Sequence, residues 1–462
     1  MHDALNKDWQ QLPSLLSLTR DLALQHLQQI DALPPARAPR PPGRTLRLAE
    51  EAGAAAALRL FADEWLPCLS NSTGPRYLGF VTGGATPAAV VGDWLVSALD
   101  QNPTAGWDGD APELERQTVA ELGRWFGLGA AQQGAFVSGA TLSNFVGLAL
   151  AREWLGEQRG VKVSEQGLAA LGPVTVLGAA PHSSIHKAAS MLGLGRAAVR
   201  PVARLPGREA VDPAALEREL QARAGEALIV TASAGTVNSG DFDDLPALLA
   251  LRERYPFWLH VDAAFGAFAA LDPRVAGRVA GLDAADSVCI DLHKWMNLPY
   301  DSALQFTRHR ALQLRVFSNA AAYLGEIDEA RPDFVHLTPE NSRRWRALVA
   351  WFALQAYGRE GHAEIVARNI DGARRLGELV EQDPTLELLA PVRLNIVCFA
   401  VRGLDDAAGV QSLLECLRDG GEAFLTPTRF DGRWGLRAAF SNWRTTVEDA
   451  ERVHSALKKS ML

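Results

Sequence analysis

Cysteine is scarce in this chain, with four residues among 462 and none in a CxxC pair. A chain of this length folds without disulfide bonds, so these cysteines predict neither a disulfide framework nor a metal site. We expect reduced thiols and a cytoplasmic protein.

Also missing are an uncharged apolar stretch of about 18 residues and an N-terminal basic segment followed by an apolar run. We therefore predict neither membrane insertion nor export.

An excess of positive charge is missing as well. The formal net charge is −8, and the lysines and arginines are spread along the chain. Binding to a nucleic-acid backbone depends on clustered positive charge, so we predict no nucleic-acid partner. What the chain does have is an ordinary globular composition, with 48% hydrophobic and 22% charged residues. Its length suits about two or three domains and allows a deeply buried site.

The first part of the chain predicts a helix followed by a stiff connector. Leucines recur at mostly helical spacing between residues 9 and 33, and a proline-rich run at 34–42 then forbids helix. From about 76 to 345, short apolar runs alternate with longer amphipathic stretches, which is typical of a mostly parallel sheet covered by helices. The candidate strands are 135–137, 174–177, 227–231, 257–261 and 287–290.

The pattern changes after residue 346. Helical patterns precede two apolar runs, at 394–401 and 434–440, which together predict a smaller α+β domain. We expect three parts in all. They are an N-terminal helical segment over 1–75, a large α/β domain over 76–345 and a small C-terminal domain over 346–462.

The strongest local signal is an apolar strand that ends in His293 and Lys294. Burial is costly for a lysine and lowers its pKa, which leaves a nucleophilic amine suited to imine formation. A lysine at the end of a strand is more commonly a surface residue, so this signal depends on the support of others.

A second apolar strand ends in Asp262, which is followed by Ala263 and Ala264. An aspartate at this place can pair with a pyridinium nitrogen and keep it protonated, and the small Ala264 lets a flat ring approach the backbone. The alternative is an aspartate that only forms a turn or caps a helix.

Two further signals also follow strands. Ala140 and Thr141 lie in a loop of small residues that opens a helix, and free N–H groups at a helix start attract phosphate. His182 follows the next strand, and its imidazole can stack on a planar cofactor. Turns of small residues and structural histidines are both common. All four signals fall at the carboxyl ends of predicted parallel strands, where open α/β sheets bind ligands, and together they favour one planar, phosphorylated cofactor.

The sequence from His260 to Ala264, followed by His293-Lys294-Trp295, resembles the group II pyridoxal-phosphate decarboxylases. This is the family of glutamate, cysteine sulfinate and aromatic amino-acid decarboxylases, and the resemblance covers roughly residues 70–450. It implies the aspartate-aminotransferase type of fold, with a mostly parallel seven-stranded sheet in the large domain. It also implies a homodimer with the active site at the subunit interface, and an N-terminal segment that packs against the second subunit.

The resemblance further implies the reaction. Pyridoxal 5'-phosphate is bound to Lys294 as an imine, and a small amino-acid substrate loses its carboxylate through a quinonoid intermediate to give an amine. In the matched motifs, Asp262 is the partner of the pyridinium nitrogen and His182 stacks on the ring. Ala140 and Thr141 form the phosphate loop.

The remaining roles that the resemblance implies concern substrate and phosphate. His293 matches a phosphate or substrate contact, and Arg437 matches a strand arginine that meets a substrate carboxylate. Trp107 matches an aromatic loop that shapes the pocket. Thr236 belongs to a segment near the ring, where Val237 replaces a second hydroxyl residue of the family.

The chain departs from the family at the loop that carries a proton-donating tyrosine, because Phe334 falls near that position. His336 is a substitute donor or, as the alternative, a solvated loop residue, and Tyr323 matches a structural tyrosine. A second departure is Asp291-Leu292 in place of the usual Asn-Pro before the lysine, which we expect to alter the lysine loop.

Other reactions of the same cofactor remain open. Family members with phenylalanine at the donor position often form aldehydes by oxidative decarboxylation, and transamination or carbon–carbon cleavage uses the same fold. A non-catalytic, cofactor-binding scaffold is the alternative from another class. The sequence leaves the substrate side chain open between acidic, aromatic and other types.

Overall fold

A computed structural model of the chain describes residues 1–41, 53–319 and 326–461. The helices of the first half are α1 (Asp3–Gln10), α2 (Leu12–Gln29), α3 (Gly53–Glu64), α4 (Pro87–Leu99), α5 (Ala111–Trp125), α6 (Ala140–Glu157), α7 (Val163–Gln166), α8 (Leu168–Leu171), α9 (Ser183–Met191) and α10 (Pro213–Ala222). Those of the second half are α11 (Leu245–Arg252), α12 (Leu292–Trp295), α13 (Arg310–Phe317), α14 (Arg346–Gln382), α15 (Ala407–Asp419) and α16 (Val447–Ser460).

The larger sheet has seven strands among the described residues, in the spatial order β1-β7-β6-β5-β4-β2-β3. Only β7 runs antiparallel to its neighbours in this part of the chain, and the other pairings are parallel. The carboxyl ends of β2, β5 and β6 therefore lie on one edge. The strands are β1 (Gln133–Val137), β2 (Val174–Gly178), β3 (Val199–Pro201), β4 (Ala227–Ser233), β5 (Trp258–Asp262), β6 (Ser287–Asp291) and β7 (Ala303–Thr307).

The five strands expected from the sequence are all present in this sheet, and the fold class is confirmed. Two strands were not expected. β3 is only three residues long and ends in Pro201, and β7 carries Gln305 and Thr307, which interrupt its apolar run. Both polar side chains of β7 are nevertheless buried, because helices cover the sheet on both faces.

Helix α6 lies directly over the middle of this sheet, packed on β5, β6 and β7. The closest approach is at Gly147, where a Cβ atom would lie 2.5 Å from Nδ1 of His260 and 3.0 Å from Oγ of Ser287. A glycine at this place therefore lets the helix backbone rest on the sheet.

A second, antiparallel sheet of four strands is formed within the described residues in the order β10-β11-β9-β8. Its strands β9 and β11 correspond to the two apolar runs expected after residue 346. Helix α14 spans two expected helical patterns and changes direction at Gly358, whose φ is 59°. The strands are β8 (Leu386–Leu388), β9 (Ile396–Val401), β10 (Thr426–Phe430) and β11 (Arg433–Ala439).

The N-terminal helices α1 and α2 replace the single helix expected over 9–33, and they contain no buried residue. Their apolar side chains face outward, with Trp9 69% and Leu16 60% exposed. In the part of the chain that the structure describes, no helix has both the length and the apolar character needed to cross a bilayer.

Candidate active site

The carboxyl ends of the central strands open into a cavity of about 220 Å³. Asp262 ends β5, His182 immediately precedes α9 in the connection from β2, and Lys294 lies in α12 just after β6. Arg437 reaches the same cavity from β11 of the second sheet. The rest of the wall is mostly small or apolar and includes Phe80, Val81, Ala140, Val237, Ala264 and Phe265.

Lys294 forms an ion pair within the cavity. Its Nζ is 2.9 Å from Oδ2 of Asp291, the last residue of β6. Burial acts to lower the pKa of Lys294, but the carboxylate of Asp291, with help from that of Asp262, outweighs burial and raises the pKa above its ordinary value. The expectation that burial leaves a neutral amine is therefore wrong, and the lysine is held as an ammonium.

Asp291 has partners on both of its carboxylate oxygens. Oδ1 accepts the backbone N–H of Ala140 at 2.6 Å, and Oδ2 lies 3.5 Å from Nε2 of His293 in addition to its contact with Lys294. Burial opposes ionisation, yet the Lys294 ammonium and His293 lower the pKa of Asp291 to about 2. The aspartate thus ties the lysine to the start of α6.

We expect the variant Asp291→Asn to lower the pKa of Lys294, because burial is then opposed only by Asp262, which forms no ion pair with the lysine. Each pKa unit gives about tenfold more neutral amine at pH 7, so covalent capture of pyridoxal phosphate becomes faster. Stopped-flow absorbance of this capture as a function of pH measures the effect. The control is Asp286→Asn, directly before β6, where the carboxylate pairs with Arg252 at 2.9 Å. An identical pH profile in both variants and the unsubstituted protein would contradict the role of Asp291.

Asp262 is buried among neutral hydrogen-bond donors. Its Oδ2 accepts from Nδ2 of Asn144 at 2.9 Å, and its Oδ1 accepts from the backbone N–H of Ala264 at 3.2 Å. No lysine or arginine of the described residues pairs directly with this carboxylate. Its negative charge is therefore available to a cationic ring nitrogen of a bound ligand.

His182 caps helix α9 and lines the cavity at the same time. Its Nδ1 lies 2.7 Å from Oγ and 3.3 Å from the backbone nitrogen of Ser184. Burial lowers the pKa of His182, against the attraction of Asp262 and with the help of Lys294. The imidazole is therefore neutral at pH 7 and presents a flat ring to the cavity.

The start of α6 lies beside these residues. Ala140 lines the cavity, and Thr141 follows it in the first turn of the helix without lining the wall. His293 accepts the N–H of Ser302 at 3.1 Å, and its ring packs on Tyr300 with the centroids 4.5 Å apart. The positive end of α6 lies at the same edge of the sheet as Lys294, and there the N–H of Ala140 is donated to Asp291.

Arg437 is a buried cation without an acidic partner among the described residues. Its Nε donates to the carbonyl of Val237 and its Nη1 lies 3.5 Å from Oγ1 of Thr426, while Nη2 has no hydrogen-bond partner in the described part of the chain. Burial lowers its pKa to about 10. A guanidinium with unused N–H groups at a cavity wall is suited to bind a carboxylate.

Thr236 uses its hydroxyl for the protein itself. The hydroxyl donates to Oε2 of Glu209 at 2.6 Å and accepts the N–H of Asp241 at 2.9 Å. Glu209 also accepts hydrogen bonds from Asn238 and Ser239. This glutamate is therefore bound within the loop and forms no ion pair with Arg437, although its charge offsets a part of the effect of burial on the pKa of that arginine.

Two residues singled out in the sequence lie away from the cavity. Trp107 is 59% exposed and lines a separate groove. Phe334 is 2% exposed, and the guanidinium groups of Arg343 and Arg116 lie 4.6 Å and 5.2 Å from its ring centroid. The position matched to the proton-donating tyrosine is thus held inside the protein, packed against Ala135 of β1, and does not line the cavity.

His336 is also distant from the cavity, and the alternative of a solvated loop residue is wrong. It is 3% exposed, and its Nδ1 accepts the N–H of Asn319 at 3.1 Å. The chain after Asp333 turns inward against β1, which removes this side chain from water. The interpretation of Tyr323 falls outside the described residues.

Asp291 was seen in the sequence but had no predicted role, and Asn144, Ser184 and Glu209 were not predicted as site residues. Asn144 lies on a helix whose sequence pattern is simply amphipathic, and Ser184 lies two residues after His182, to which the sequence pattern gave the functional role. The available signal was the placement of polar residues one turn into a helix or at its start, directly after a buried strand. Such polar groups need partners once the helix covers the sheet.

These residues fit the cofactor that the resemblance implies. The ammonium of Lys294, the carboxylate of Asp262, which has no ion-pair partner among the described residues, and the imidazole of His182 face one cavity. The small Ala140 and Ala264 leave room for a flat ring. The buried guanidinium of Arg437 supplies the charge that an anionic ligand needs. The donor set therefore matches pyridoxal 5'-phosphate together with an amino acid.

Comparison with known proteins agrees with this geometry. The model of the pyridoxal-dependent decarboxylase conserved domain matches residues 63–402. The L-2,4-diaminobutyrate decarboxylase of Rhizobium meliloti (strain 1021) is 30% identical over 382 residues, which are 80% of this chain and 74% of the relative. The aromatic-L-amino-acid decarboxylase of Bacillus atrophaeus is 26% identical over 399 residues, or 83% of this chain and 80% of that one.

A solved structure shows the same fold. TDC of Oryza sativa, determined with PLP and tryptamine, superposes with a TM-score of 0.90 at 22% identity and covers 98% of this chain and 97% of its own. The expected fold, cofactor and family are thereby confirmed. The chain belongs to the pyridoxal-dependent decarboxylases, and it is an enzyme that uses pyridoxal 5'-phosphate to decarboxylate an amino acid.

Proposed function

We propose that the enzyme removes the α-carboxylate of an L-amino acid as carbon dioxide and releases the primary amine. The observation that carries the proposal is the convergence of Lys294, Asp262, His182 and Arg437 on one cavity of about 220 Å³. When bound, pyridoxal 5'-phosphate supplies an electron sink for the bond to the carboxylate. The site residues divide the remaining work among them.

Lys294 would hold the cofactor covalently through Nζ, and the substrate amine would take the place of Nζ on the cofactor, which releases the lysine amine. Asp262 pairs with the protonated ring nitrogen, because its carboxylate lies at the end of β5 with only neutral partners. His182 lies against the ring, and Ala140, Thr141 and His293 bind the phosphate near the start of α6. Each of these roles assigns the residue one contact with the cofactor, at the position where the structure places its side chain.

Arg437 binds a carboxylate of the substrate. Its pKa of about 10 keeps it charged at pH 7 despite its burial, and Nη2 has no competing partner among the described residues. The apolar side chains of Phe80 and Val237 line the same cavity and offer no polar group that would compete for this contact. The arginine thus orients the substrate before the carboxylate leaves.

An assay of carbon dioxide release tests the proposal. The purified enzyme, loaded with pyridoxal phosphate, is incubated with each proteinogenic amino acid and with cysteine sulfinate, DOPA and diaminobutyrate. We expect one class of amino acid to release carbon dioxide together with an equal amount of amine, and this result would identify the substrate class. An aldehyde or a keto acid as the main product would replace simple decarboxylation by one of the alternatives. Cofactor binding without any turnover would favour the scaffold.

We also propose that the enzyme is a homodimer with the active site at its interface, and that the segment 1–75 contributes to the contact. The support comes from α1 and α2, where 26 helical residues include no buried one and large apolar side chains are exposed. Such a surface is costly in water and is typical of a subunit contact. The exposed apolar residues are Leu5, Trp9, Leu12, Leu16, Leu18 and Leu24.

We expect Leu16→Lys to weaken the dimer, because it places a charge in an apolar contact. In sedimentation velocity at a series of decreasing protein concentrations, a species near the chain mass of 49.8 kDa should appear at a higher concentration for this variant than for the unsubstituted protein. Glu415→Lys, on the exposed face of α15, is the control for the added charge. A monomer in the unsubstituted protein at all concentrations would rule out the homodimer.

A reducing compartment, the cytoplasm, is the location we propose. All four cysteines are free thiols, and Cys289 and Cys398 are buried. Burial raises the pKa of the Cys398 thiol to about 12, which makes it unreactive at pH 7. The enzyme therefore does not depend on oxidising conditions for its stability.

A further inference from the structure

A continuous line of hydrogen bonds runs through the protein beneath the cavity. Nε1 of Trp258 is 3.0 Å from Oγ of Ser287, which is 2.8 Å from Nδ1 of His260. Nε2 of His260 is in turn 2.8 Å from Oδ1 of Asn144. All four residues are completely buried, so water does not compete for these contacts.

The line divides at Asn144, whose amide nitrogen serves two acceptors. Nδ2 is 2.9 Å from Oδ2 of Asp262 and also 2.9 Å from Oγ of Ser184. Oγ of Ser184 is 2.7 Å from Nδ1 of His182. One asparagine therefore contacts the carboxylate at the ring-nitrogen position and, through a serine, the imidazole at the ring face.

The two ends of the line fix the direction of every proton in it. The Trp258 indole can only donate, and the ionised Asp262 carboxylate can only accept. Asn144 must therefore turn its NH2 group to Asp262 and its oxygen to His260. His260 then carries its proton on Nε2 and accepts on Nδ1 from Ser287, whose oxygen accepts from Trp258. Burial lowers the pKa of His260 to about 4, so it remains neutral near pH 7.

The same rule determines the state of His182. The second N–H of Asn144 is donated to Ser184, so the serine hydroxyl has its own proton free for Nδ1 of His182. The backbone N–H of Ser184 also points to this nitrogen, at 3.3 Å. Nδ1 of His182 is thus an acceptor, and its proton lies on Nε2, which leaves an N–H donor for the cavity.

We propose that Asn144 is a positioning residue that orients Asp262 and, through Ser184, holds His182 in the tautomer with its proton on Nε2. The proposal rests on the roles proposed above for Asp262 and His182. Asn144 contacts neither substrate nor cofactor in it. Its effect is to couple the two side chains, so that one buried amide keeps an acceptor under the ring nitrogen and a donor beside the ring face.

The two branches can be separated by substitution. Ser184→Ala removes the serine hydroxyl and leaves the contact between Asn144 and Asp262 intact. In the holoenzyme with 15N-labelled histidine, we expect the Nδ1 and Nε2 shifts of His182 to converge. The backbone N–H of residue 184 remains, but at 3.3 Å it is a weaker donor than the hydroxyl at 2.7 Å, so two tautomers then mix. The affinity for pyridoxal phosphate should stay within about twofold of that of the unsubstituted enzyme. Ser184→Thr, which keeps the hydroxyl, should restore the single tautomer.

Asn144→Ser interrupts both branches. We expect the His182 shifts to converge as in Ser184→Ala, and in addition the dissociation constant of pyridoxal phosphate to rise about tenfold, the size of one lost hydrogen bond to a charged group. Asn395→Ser is the matched control, since Asn395 is equally buried and its Nδ2 donates to the carbonyl of Phe440 at 2.8 Å. It should change neither reading.

The outcomes distinguish this proposal from the proposed function. If His182 keeps one tautomer in both Ser184→Ala and Asn144→Ser, or carries its proton on Nδ1 in the unsubstituted enzyme, the positioning role of Asn144 is overturned while decarboxylation stands. If Asn144→Ser does not fold, Ser184→Ala alone decides the question. An unsubstituted enzyme that shows the expected tautomer but releases no carbon dioxide overturns the proposed function and leaves the hydrogen-bond line in place.

Discussion

Lys294→Arg should abolish carbon dioxide release, with turnover falling by more than about 10⁴-fold, and should remove the absorbance band of covalently bound pyridoxal phosphate. An arginine keeps the charge opposite Asp291 but stays protonated, so it offers no nucleophilic amine. The folded protein is preserved because the buried carboxylate of Asp291 retains a cation at the distance where Nζ now lies, 2.9 Å.

The comparison with Lys294→Ala adds information on stability. Alanine leaves Asp291 buried without its main cation, which costs about 3–5 kcal/mol of the free energy of unfolding. Denaturant unfolding of both variants measures this difference, and borohydride treatment followed by peptide mass spectrometry shows whether the cofactor is attached to residue 294. Turnover that survives in a folded Lys294→Arg enzyme would sink the assignment of this lysine.

Arg437→Met should weaken substrate binding by about 10²–10³-fold and yet stabilise the protein by about 1–2 kcal/mol. The two effects have one cause. Arg437 is 3% exposed, its pKa is lowered to about 10 by burial, and no acid of the described residues forms an ion pair with it, so the charge of Glu209 offsets burial only in part. The buried charge of Arg437 therefore lowers the stability of the free enzyme, and a bound carboxylate relieves this effect. Methionine removes both the destabilising charge and the binding of the carboxylate.

The control for this prediction is another buried arginine that does have a partner. Arg343 donates to Oε2 of Glu115 at 2.8 Å, and both side chains are fully buried. Arg343→Met should destabilise the protein by about 3–5 kcal/mol, since it leaves the glutamate unpaired. Thermal unfolding of the two methionine variants should therefore shift in opposite directions. A shift of both to lower temperature would contradict the account of Arg437 as an uncompensated charge.

Much of the fold could be predicted because buried parallel strands leave a plain apolar signal. Every strand expected before residue 300 ends within two residues of its expected position, as β5 does at Asp262 and β6 at Asp291. Strand β7 could not be predicted because its Gln305 and Thr307 are buried polar residues whose partners lie outside the strand. Thr307, for example, donates a hydrogen bond to the carbonyl of Asp286, 21 residues earlier, at 2.9 Å.

The candidate site shows a similar division. Lys294, Asp262 and His182 could be predicted because each follows a strand, and the carboxyl ends of parallel strands meet at one edge. The shift in the pKa of Lys294 could not be predicted. Its direction depends on the distance of 2.9 Å to the Asp291 carboxylate, and a sequence does not give such a distance. Phe334 and His336 were placed by counting along a loop, and a count does not show whether a loop turns inward.

The close contact at Gly147 has an evolutionary consequence. Helix α6 and the sheet are packed so closely there that a Cβ atom would lie 2.5 Å from His260. The floor of the cavity, by which we mean the strand ends that carry Lys294 and Asp262, therefore tolerates little variation. The opposite wall, with Phe80 and Val237, comes from loops outside this contact. Descendants of this enzyme can acquire a new substrate by mutations in that wall while inheriting the chemistry of the floor unchanged.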